Sequence, residues 1–470
     1  MNRRQFLARS AAGAAAALAR PAFAQTSSSI ELRIRPDQIL GQTPPDFVGL
    51  GYEISSVGQE GLLSPANRRM IQFIRTLSPR GNIRIGGDTS DWAHWAGSGR
   101  AVSSPRGTVV DQKVIADLGG LLHELGWSLI WGLNLGSGTI EEAVNESAAV
   151  ASSAGPALLA LEIGNEPDLF APNHRKKGYD YPQFLGEYRR FKQAIRAKLP
   201  GVPFAGPDAA SRTDWVERFA ADEAKDLRLL TRHHYSQGPP ENPRTTIEDL
   251  LAPRPSFVSM LHRIQKASAA CGVPYRFCEV NSCFHGGKPG VSDTFASALW
   301  VLDLMHTLAA HDCAGINIET GVNQLNFVSH YSPIYPIENG GYVARPIYYG
   351  MLAFSLASRG KRIPVEFDAG PINLRAFASI GEDRRIRLTL INKELNKDVT
   401  MRFPSLNGSD KATVQRLAAP RLDSKEGVIL AGSSVDEDGR WSPHPGQQVK
   451  VREGVIEINL PRHTAAIVEL

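Results

Sequence analysis

The chain has 470 residues, of which 42% are hydrophobic and 21% charged, a composition typical of globular proteins rather than disordered or collagen-like ones. Its length exceeds what one hydrophobic core usually supports, so two domains are expected. The formal charge is only +4, and no run of 18 apolar residues follows the N-terminal segment, so no membrane span is expected in the mature chain.

The first 24 residues have the features of an export signal. Arg3 and Arg4 are followed by Phe6-Leu7, by an alanine-rich stretch over residues 11–19, and by the small-x-small sequence Ala22-Phe23-Ala24. This order is similar to a twin-arginine signal. We expect residues 1–24 to be removed and the mature protein to be periplasmic or extracellular. The alternative is an N-terminal tail that stays attached.

Removal of this segment changes the charge of the protein, because the segment carries four arginines and no acidic residue. The remaining chain has 48 basic and 48 acidic residues, a formal charge of zero. A neutral protein lacks the general positive field that attracts nucleic acid, so no nucleic-acid partner is expected.

Residues 37–355 alternate short apolar segments with stretches of helical periodicity. Helices are predicted over residues 66–76, 113–125, 181–198 and 295–310. Alternating strands and helices indicate a parallel sheet, and eight such units in about 300 residues favour a (β/α)₈ barrel over an open sheet. The predicted strands cover residues 47–54, 82–86, 128–135, 158–164, 203–207, 229–234, 275–280 and 314–319.

From about residue 356 the chain contains short alternating segments and no long amphipathic helix. Turn sequences such as Asn407-Gly408 and Glu453-Gly454 separate these segments, as is typical of an antiparallel β-sandwich. Residues 30–35 alternate in the same way, so residues 25–36 are assigned to this domain together with residues 356–470. The predicted strands cover residues 374–380, 386–392, 399–403, 412–417, 448–452, 455–460 and 465–470.

Four cysteines, Cys271, Cys278, Cys283 and Cys313, match no zinc-ligand spacing. An oxidising compartment would permit a disulfide, but four buried thiols are equally compatible with the sequence. Disulfide pairing is therefore left open, as is the oligomeric state.

Two glutamates stand where a barrel places its functional residues, at the carboxyl ends of strands. Glu166 follows the fourth strand in Gly164-Asn165-Glu166-Pro167, and Glu279 ends the seventh. Two carboxylates in one barrel mouth can cleave a glycosidic bond, one as proton donor and the other as nucleophile. Because neighbouring charges push their pKa values apart, the two groups can take different roles.

These residues resemble the signature of the clan A glycoside hydrolases, and within that clan the chain is most similar to glycoside hydrolase family 79, the β-glucuronidases and heparanases. Three stretches carry the resemblance. They are Glu279-Val280-Asn281-Ser282-Cys283-Phe284-His285-Gly286-Gly287, then Ser292-Asp293-Thr294-Phe295, and Gly315-Ile316-Asn317-Ile318 through Tyr331-Ser332-Pro333-Ile334-Tyr335. The β-rich C-terminal region also fits the family.

The resemblance implies roles for residues of the barrel mouth. Glu166 would be the acid/base and Glu279 the nucleophile. The other implied roles are a bond from Asn165 to the sugar 2-hydroxyl, orientation of the nucleophile by Tyr235, and a pocket floor of Glu53 and Asp88.

The turn after the nucleophile would bind the carboxylate of a glucuronate, through backbone amides near His285 and Gly286 and a tyrosine beyond the eighth strand. Tyr331 and Tyr335 both suit that last role, with Tyr335 slightly preferred. Family members often have Tyr where this chain has Phe284 and Gly where it has His285. The loss of the tyrosyl hydroxyl weakens the expectation of a bound carboxylate, although His285 could supply a cationic hydrogen bond.

Other motifs have simpler explanations. His233 and His234 have no third ligand at a useful spacing, so no metal is expected, and the carboxylate chemistry needs no cofactor. Glu319 is expected to pair with an arginine. The basic cluster at residues 173–177 is either a solvated loop or a landing site for a polyanionic sugar chain.

The sequence therefore predicts a retaining β-glycoside hydrolase, an exo-acting β-glucuronidase whose partner is a β-glucuronide or a glycan containing uronic acid. One alternative is heparanase-like endo cleavage of an acidic polysaccharide. Another, from a different functional class, is a non-catalytic carbohydrate-binding barrel, against which the intact glutamate pair argues.

Overall fold

The computed structural model describes residues 28–99, 104–322, 327–406, 408 and 410–470. The predicted export signal lies outside the described residues. Eight parallel strands close into a barrel in chain order, with the eighth paired to the first, which confirms the predicted fold. The strands are β1 Gly49–Glu53, β2 Asn82–Gly86, β3 Ser128–Leu133, β4 Leu158–Ile163, β5 Phe204–Ala209, β6 Leu227–Gln237, β7 Tyr275–Cys283 and β8 Ile316–Glu319.

Eight helices accompany these strands around the barrel. The first one illustrates why they form: its buried residues Met70, Phe73, Ile74 and Leu77 recur at helical spacing, and the side chain of Asn67 caps its N-terminus. The helices are α1 Arg68–Leu77, α2 Gln112–Leu125, α3 Ile140–Ala154, α4 Tyr181–Lys198, α5 Thr213–Glu223, α6 Pro255–Cys271, α7 Phe295–Ala310 and α8 Pro346–Ala357.

The last two helices, α7 and α8, are buried along almost their whole length because they pack against each other and face the second domain. This burial explains why their sequences are apolar on all sides rather than amphipathic. No helix among the described residues is long and apolar enough to cross a membrane.

The C-terminal domain has two sheets around a second hydrophobic core. One contains Val365–Phe367, Ser28–Ile34, Val399–Pro404 and Val455–Leu460; Ser28–Ile34 enters it parallel to Val399–Pro404, the one departure from antiparallel pairing within this sheet. The larger sheet contains Gly41–Gln42, Lys361–Ile363, Leu374–Ile380, Ile386–Asn392, Thr464–Glu469, Lys411–Ala418, Ile429–Leu430 and Gln447–Lys450.

Short elements follow the carboxyl ends of the barrel strands and build the rim of the mouth. A short helix Ile54–Val57 follows β1, and Ile247–Leu251 follows β6. The 3₁₀ turns Asp88–Trp92 and Pro167–Leu169 follow β2 and β4, the first of them leading into the short pair His94–Trp95 and Val109–Val110. A hairpin of Ile334–Ile337 and Gly341–Ala344 follows β8.

Three barrel strands end later than the sequence predicts, and the first of them, β5, continues to Ala209 beyond its predicted end at residue 207. β6 continues to Gln237 and β7 to Cys283, beyond the predicted ends at residues 234 and 280. The extra residues are partly polar, so the apolar pattern stops before the strand pairing does. As a result, polar side chains of β6 and β7 are held on paired backbone inside the mouth.

Candidate active site

The mouth of the barrel brings the two predicted catalytic glutamates together. An oxygen of Glu166, a ring nitrogen of His233 and an oxygen of Glu279 all lie within 4.8 Å of one another. Such a separation matches the roughly 5–5.5 Å between carboxyl groups of retaining glycosidases and leaves less room than inversion requires. Glu279 is buried, whereas the Glu166 side chain keeps 25% of its surface exposed, as a group that meets a leaving group must.

Glu166 has an ionisation suited to proton donation. Burial raises the pKa of Glu166, and the nearby Glu279 raises it further, while His233 opposes the shift. The backbone of Glu166 is left-handed, with φ of 51°, directly before the turn Pro167–Leu169. A left-handed conformation is costly for a non-glycine residue, and such strain is commonly found where a side chain must be aimed at a substrate.

Arg84 lies at the centre of the site, although it is not among the site residues predicted from the sequence. Its side chain is fully buried inside the barrel, although it comes from the middle of the apolar strand β2. Its bonds run to Glu279 at 2.8 Å, Asp208 at 2.6 Å, Asn165 at 2.8 Å and Glu162 at 3.2 Å. A guanidinium has enough donors to hold several acceptors, so Arg84 fixes the nucleophile relative to the other strands.

His233 joins the acid/base to a second buried carboxylate. Its Nδ1 lies 2.9 Å from Glu166 Oε1, and its Nε2 lies 2.7 Å from Asp208 Oδ1. Burial opposes a positive charge on the ring, but Asp208 and Glu279 outweigh it and raise the pKa of His233 well above its usual value. From the sequence, His233 is a candidate only for metal binding, whereas its contacts in the structure are those of a charged hydrogen-bond donor.

Tyr235 lies where the resemblance places it, with its hydroxyl donating to Glu279 Oε1 at 2.8 Å. Burial raises the pKa of Tyr235, so the hydroxyl stays protonated and remains a donor. Asn165 directs its side-chain oxygen to Arg84, while its backbone N–H donates to Asp91. Both side chains are therefore fixed beside the carboxylate pair.

Glu53 and Asp88, predicted together on the pocket floor, have different positions. Glu53 is buried and accepts bonds from the backbone of Asp88 and from Thr89, and a Cβ on Gly87 would lie 2.3 Å from its carboxyl group. Burial, reinforced by Glu279, raises the pKa of Glu53 to about 7.

The expectation that Asp88 lines the floor is wrong. Its side chain is 56% exposed and pairs with Arg106 at the surface. The chain turns outward at Gly87, with φ of 76°, and Asp88 is the first residue of the turn that follows.

The turn after Glu279 offers unpaired backbone donors. His285, Gly286 and Gly287 have consecutive φ values of 57°, 79° and 81°, and among the described residues none accepts a hydrogen bond from their N–H groups. Successive amides in left-handed or turn conformations form concavities that bind anions. Phe284 packs edge-on against Tyr235 at 6.3 Å between ring centroids.

The structure distinguishes the two candidate tyrosines. Tyr331 is buried with its ring 6.4 Å from that of Tyr235, and a Cβ on Gly287 would contact it at 3.0 Å. Tyr335 lies in the hairpin after β8 with the guanidinium of Arg345 4.0 Å from its ring centroid. The contacts thus favour Tyr331, the candidate that the sequence analysis ranked second.

Among the described residues no arginine forms an ion pair with Glu319, so the expectation that it pairs with one is wrong. Its Oε1 accepts the N–H of Gly321, and its Oε2 has no hydrogen-bond partner among the described residues. Burial, followed by the charges of Glu279 and Glu53, raises the pKa of Glu319 well above its usual range. This shift favours the neutral form of the Glu319 carboxyl group.

The basic cluster at residues 173–177 contains one structural and two exposed cations. Arg175 donates to Glu187 and to the carbonyl oxygens of Leu135 and Gly136, so its charge is used within the loop. Lys176 and Lys177 are exposed.

Two groups of described residues have donor types and spacings that a metal ion could use. One is Glu166 with His233 and Glu279, and the other is Glu162 with Asp208 and Cys278. Arg84 or His233 already donates to the carboxylates of both groups, so the protein supplies its own cations there. All four cysteines are free thiols.

Comparison with known proteins agrees with this geometry. Residues 373–467 match the family model described as the glycosyl hydrolase family 79 C-terminal beta domain. A β-glucuronidase from Aspergillus niger is 24% identical over 489 residues, which cover 91% of this chain and 88% of that protein. A β-glucuronidase from Neurospora crassa is 26% identical over 292 residues, covering 51% of this chain and 50% of that one.

Solved structures share the architecture. A 4-O-α-L-rhamnosyl-β-D-glucuronidase from Fusarium oxysporum 12S superposes with a TM-score of 0.76 at 18% identity, covering 94% of this chain and 100% of that one. A family 51 arabinofuranosidase from Xanthomonas axonopodis pv. citri gives a TM-score of 0.69 at 15% identity, covering 94% and 99%. At these identities the likeness is one of fold.

Proposed function

Because the chain belongs to glycoside hydrolase family 79, we propose that it is a retaining β-glucuronidase with Glu166 as acid/base and Glu279 as nucleophile. The observation that carries this proposal is the spacing of the two carboxyl groups, within 4.8 Å at their nearest oxygens. Direct attack by one carboxylate needs this closeness, whereas a water between sugar and base would need a wider gap.

In the first step Glu166 donates its proton to the glycosidic oxygen while Glu279 attacks the anomeric carbon. The bond to the leaving group breaks, the aglycone departs as an alcohol, and an ester joins the sugar to Glu279. Arg84 and Tyr235 hold one oxygen each of Glu279, at 2.8 Å in both cases, so the attacking group is fixed before substrate arrives.

In the second step Glu166, now ionised, takes a proton from water, and the resulting hydroxide displaces Glu279 from the sugar. Two inversions give net retention. Loss of the Glu279 charge in the ester removes one of the groups that raise the pKa of Glu166, which favours the base form when it is needed.

A glucuronate is favoured as the sugar by the anion-binding geometry beyond the nucleophile. The N–H groups of residues 285–287, which have no acceptor in the part of the chain that the structure describes, lie just beyond the strand that carries Glu279. The hydroxyl of Tyr331 would be a further donor to the same carboxylate, and Asn165 would serve the 2-hydroxyl. Phe284 contributes only its ring.

Exo action is favoured over endo action. An endo enzyme on an acidic polysaccharide needs cations flanking its cleft, and Arg175, the central cation of the rim cluster, is paired with Glu187. Lys176 and Lys177 alone are thin support for a polyanion groove. Heparanase-like cleavage is the second candidate.

We further propose that the protein is exported through the signal in residues 1–24.

Aryl β-glycosides test the function directly. We expect hydrolysis of 4-nitrophenyl β-glucuronide with a kcat/KM about 30- to 1,000-fold above that of the β-glucoside, because a neutral hydroxymethyl leaves the anion donors poorly matched. Equal kcat/KM values for the glucuronide and the glucoside would contradict the carboxylate pocket. If the protein hydrolysed none of the β-glucuronide, β-glucoside, β-galactoside and β-xyloside, the result would favour a non-catalytic binding protein.

A further inference from the structure

A continuous line of hydrogen bonds runs from the acid/base into the barrel. Glu166 contacts His233, His233 contacts Asp208, and Asp208 Oδ2 accepts from Arg84 at 2.6 Å. Asp208 lies near the end of β5, and its side chain is buried beneath the surface of the pocket. Asp208 can therefore influence the reaction only through the residues that it contacts.

The charge on His233 depends on the groups that face it. Asp208 on β5, Glu166 after β4 and Glu279 on β7 supply negative charge within 3.7 Å. Opposing them, one nitrogen of Arg84 on β2 lies 3.3 Å from Nε2. Glu162 on β4 bonds the same arginine.

Among the carboxylates that contact His233, Asp208 is the one that keeps its charge throughout the reaction. Burial alone would raise its pKa, but Arg84 and His233 more than offset this and lower the pKa of Asp208 to about 2. Glu166 must be protonated in the first step, and Glu279 is neutral once it carries the sugar. The charge of Asp208 therefore remains opposite the imidazole throughout the cycle.

We propose that Asp208 is a positioning residue that keeps His233 cationic, and that this buried charge sets the ionisation of Glu166. The imidazolium stabilises the carboxylate form of Glu166 across a 2.9 Å hydrogen bond. Burial and Glu279 both raise the pKa of Glu166. The imidazolium limits this rise, so that Glu166 can lose its proton and act as a base in the second step. This inference rests on the proposed role of Glu166.

The variant Asp208→Asn removes this charge with little other change. Asparagine tolerates the left-handed backbone of residue 208, where φ is 57°. Its oxygen can face Arg84 and its amide can donate to Nε2, which leaves the imidazole proton on Nδ1 facing Glu166. The hydrogen bonds are kept, while the negative charge of residue 208 and, with it, the positive charge of His233 are lost.

The pH dependence of kcat/KM on an aryl β-glucuronide is the test. Its alkaline limb reports the free-enzyme acid. An opposite charge at this range shifts a carboxyl pKa by about one to three units, so loss of the imidazolium should move the alkaline limb of Asp208→Asn upward by at least about one unit. A uniform fall in kcat/KM without a shift of the limb would overturn the proposal.

Asp303→Asn is the matched control. Asp303, on α7, is half-buried and likewise bonded to two cations, Arg375 and Lys393, but it faces the second domain. We expect its pH profile to overlay that of the wild type. If Asp208→Asn does not fold, the ring ¹⁵N shifts of His233 in the wild-type enzyme decide, since a neutral ring at pH 7 would also overturn the proposal. Failure of the wild type to hydrolyse any glucuronide would instead remove the proposed function.

Discussion

The hydroxyl of Tyr235 offers a quantitative test of how the nucleophile is controlled. In Tyr235→Phe the ring can keep its packing against Phe284 and Tyr331, while the 2.8 Å bond to Glu279 is lost. A hydrogen bond to a charged group contributes about 1.5–3 kcal/mol, which corresponds to roughly 10- to 150-fold in rate if it forms fully in the transition state.

The loss should not affect the two steps equally. In the first step Glu279 gives up its charge, so the bond weakens as the reaction proceeds. In the second step the carboxylate re-forms as a leaving group, and the hydroxyl stabilises the developing charge. We therefore expect slower release of the sugar, with kcat falling by about tenfold or more for an activated aryl glucuronide and KM falling with it as the ester accumulates.

Steady-state kinetics and the burst of released phenol measure both effects. Tyr349→Phe is the control, because its buried hydroxyl accepts the N–H of Val435 in the C-terminal domain, at 3.0 Å. An unchanged kcat in Tyr235→Phe, or a rise in KM without a burst, would show that the hydroxyl does not act on the nucleophile as the geometry indicates.

Three further predictions concern other parts of the chain. Arg175→Ala removes bonds to Glu187 and to two carbonyl oxygens, so it should lower the free energy of unfolding by about 1–3 kcal/mol, measured as a lower Tm. The double variant Lys176→Ala, Lys177→Ala should leave both the Tm and the hydrolysis of aryl glucuronides unchanged. Replacing Arg3-Arg4 with Lys-Lys should leave the precursor in the cytoplasm, and export at the wild-type level would remove the twin-arginine proposal. Burial raises the pKa of Glu146 to about 7, so the folded state holds this proton more tightly than the unfolded chain, and stability should fall as pH rises from about 4.5 to 7. Glu146→Gln keeps the bond from Trp131 and should raise Tm at pH 8 but not at pH 4; equal Tm changes at both pH values would contradict this assignment.

The fold was predictable because its signal is local. Eight apolar segments separated by helical periodicity are enough to indicate a barrel, and the barrel then places strand ends in one mouth. Glu166 and Glu279 follow from this rule, since each directly ends or follows a strand. The rule also predicts Glu53 at the floor, but it cannot tell that Gly87 turns Asp88 away toward Arg106.

The network behind the carboxylates was not predicted because it depends on which side chains meet across the closed barrel. Arg84 and Glu162 did give a signal, since a charged residue inside an apolar strand must find a buried partner. The sequence does not show which residue is the partner. Arg84 on β2 bonds Glu279 on β7, and Asp208 contacts His233 because of the register between β5 and β6. Glu319 shows the converse, a buried acid with a raised pKa and no arginine bonded to it among the described residues.

The central claim is that Glu279 forms a covalent bond to the sugar and Glu166 serves it as acid/base. Incubation with a 2-fluoro-β-glucuronyl fluoride, followed by peptide mass spectrometry, tests this directly, because the fluorine slows the second step and traps the ester. We predict one label per chain, on Glu279, while Glu166→Gly is still labelled and Glu279→Gly is not. A label on Glu166, or no covalent adduct together with an inverted first-formed sugar by NMR, would contradict the account.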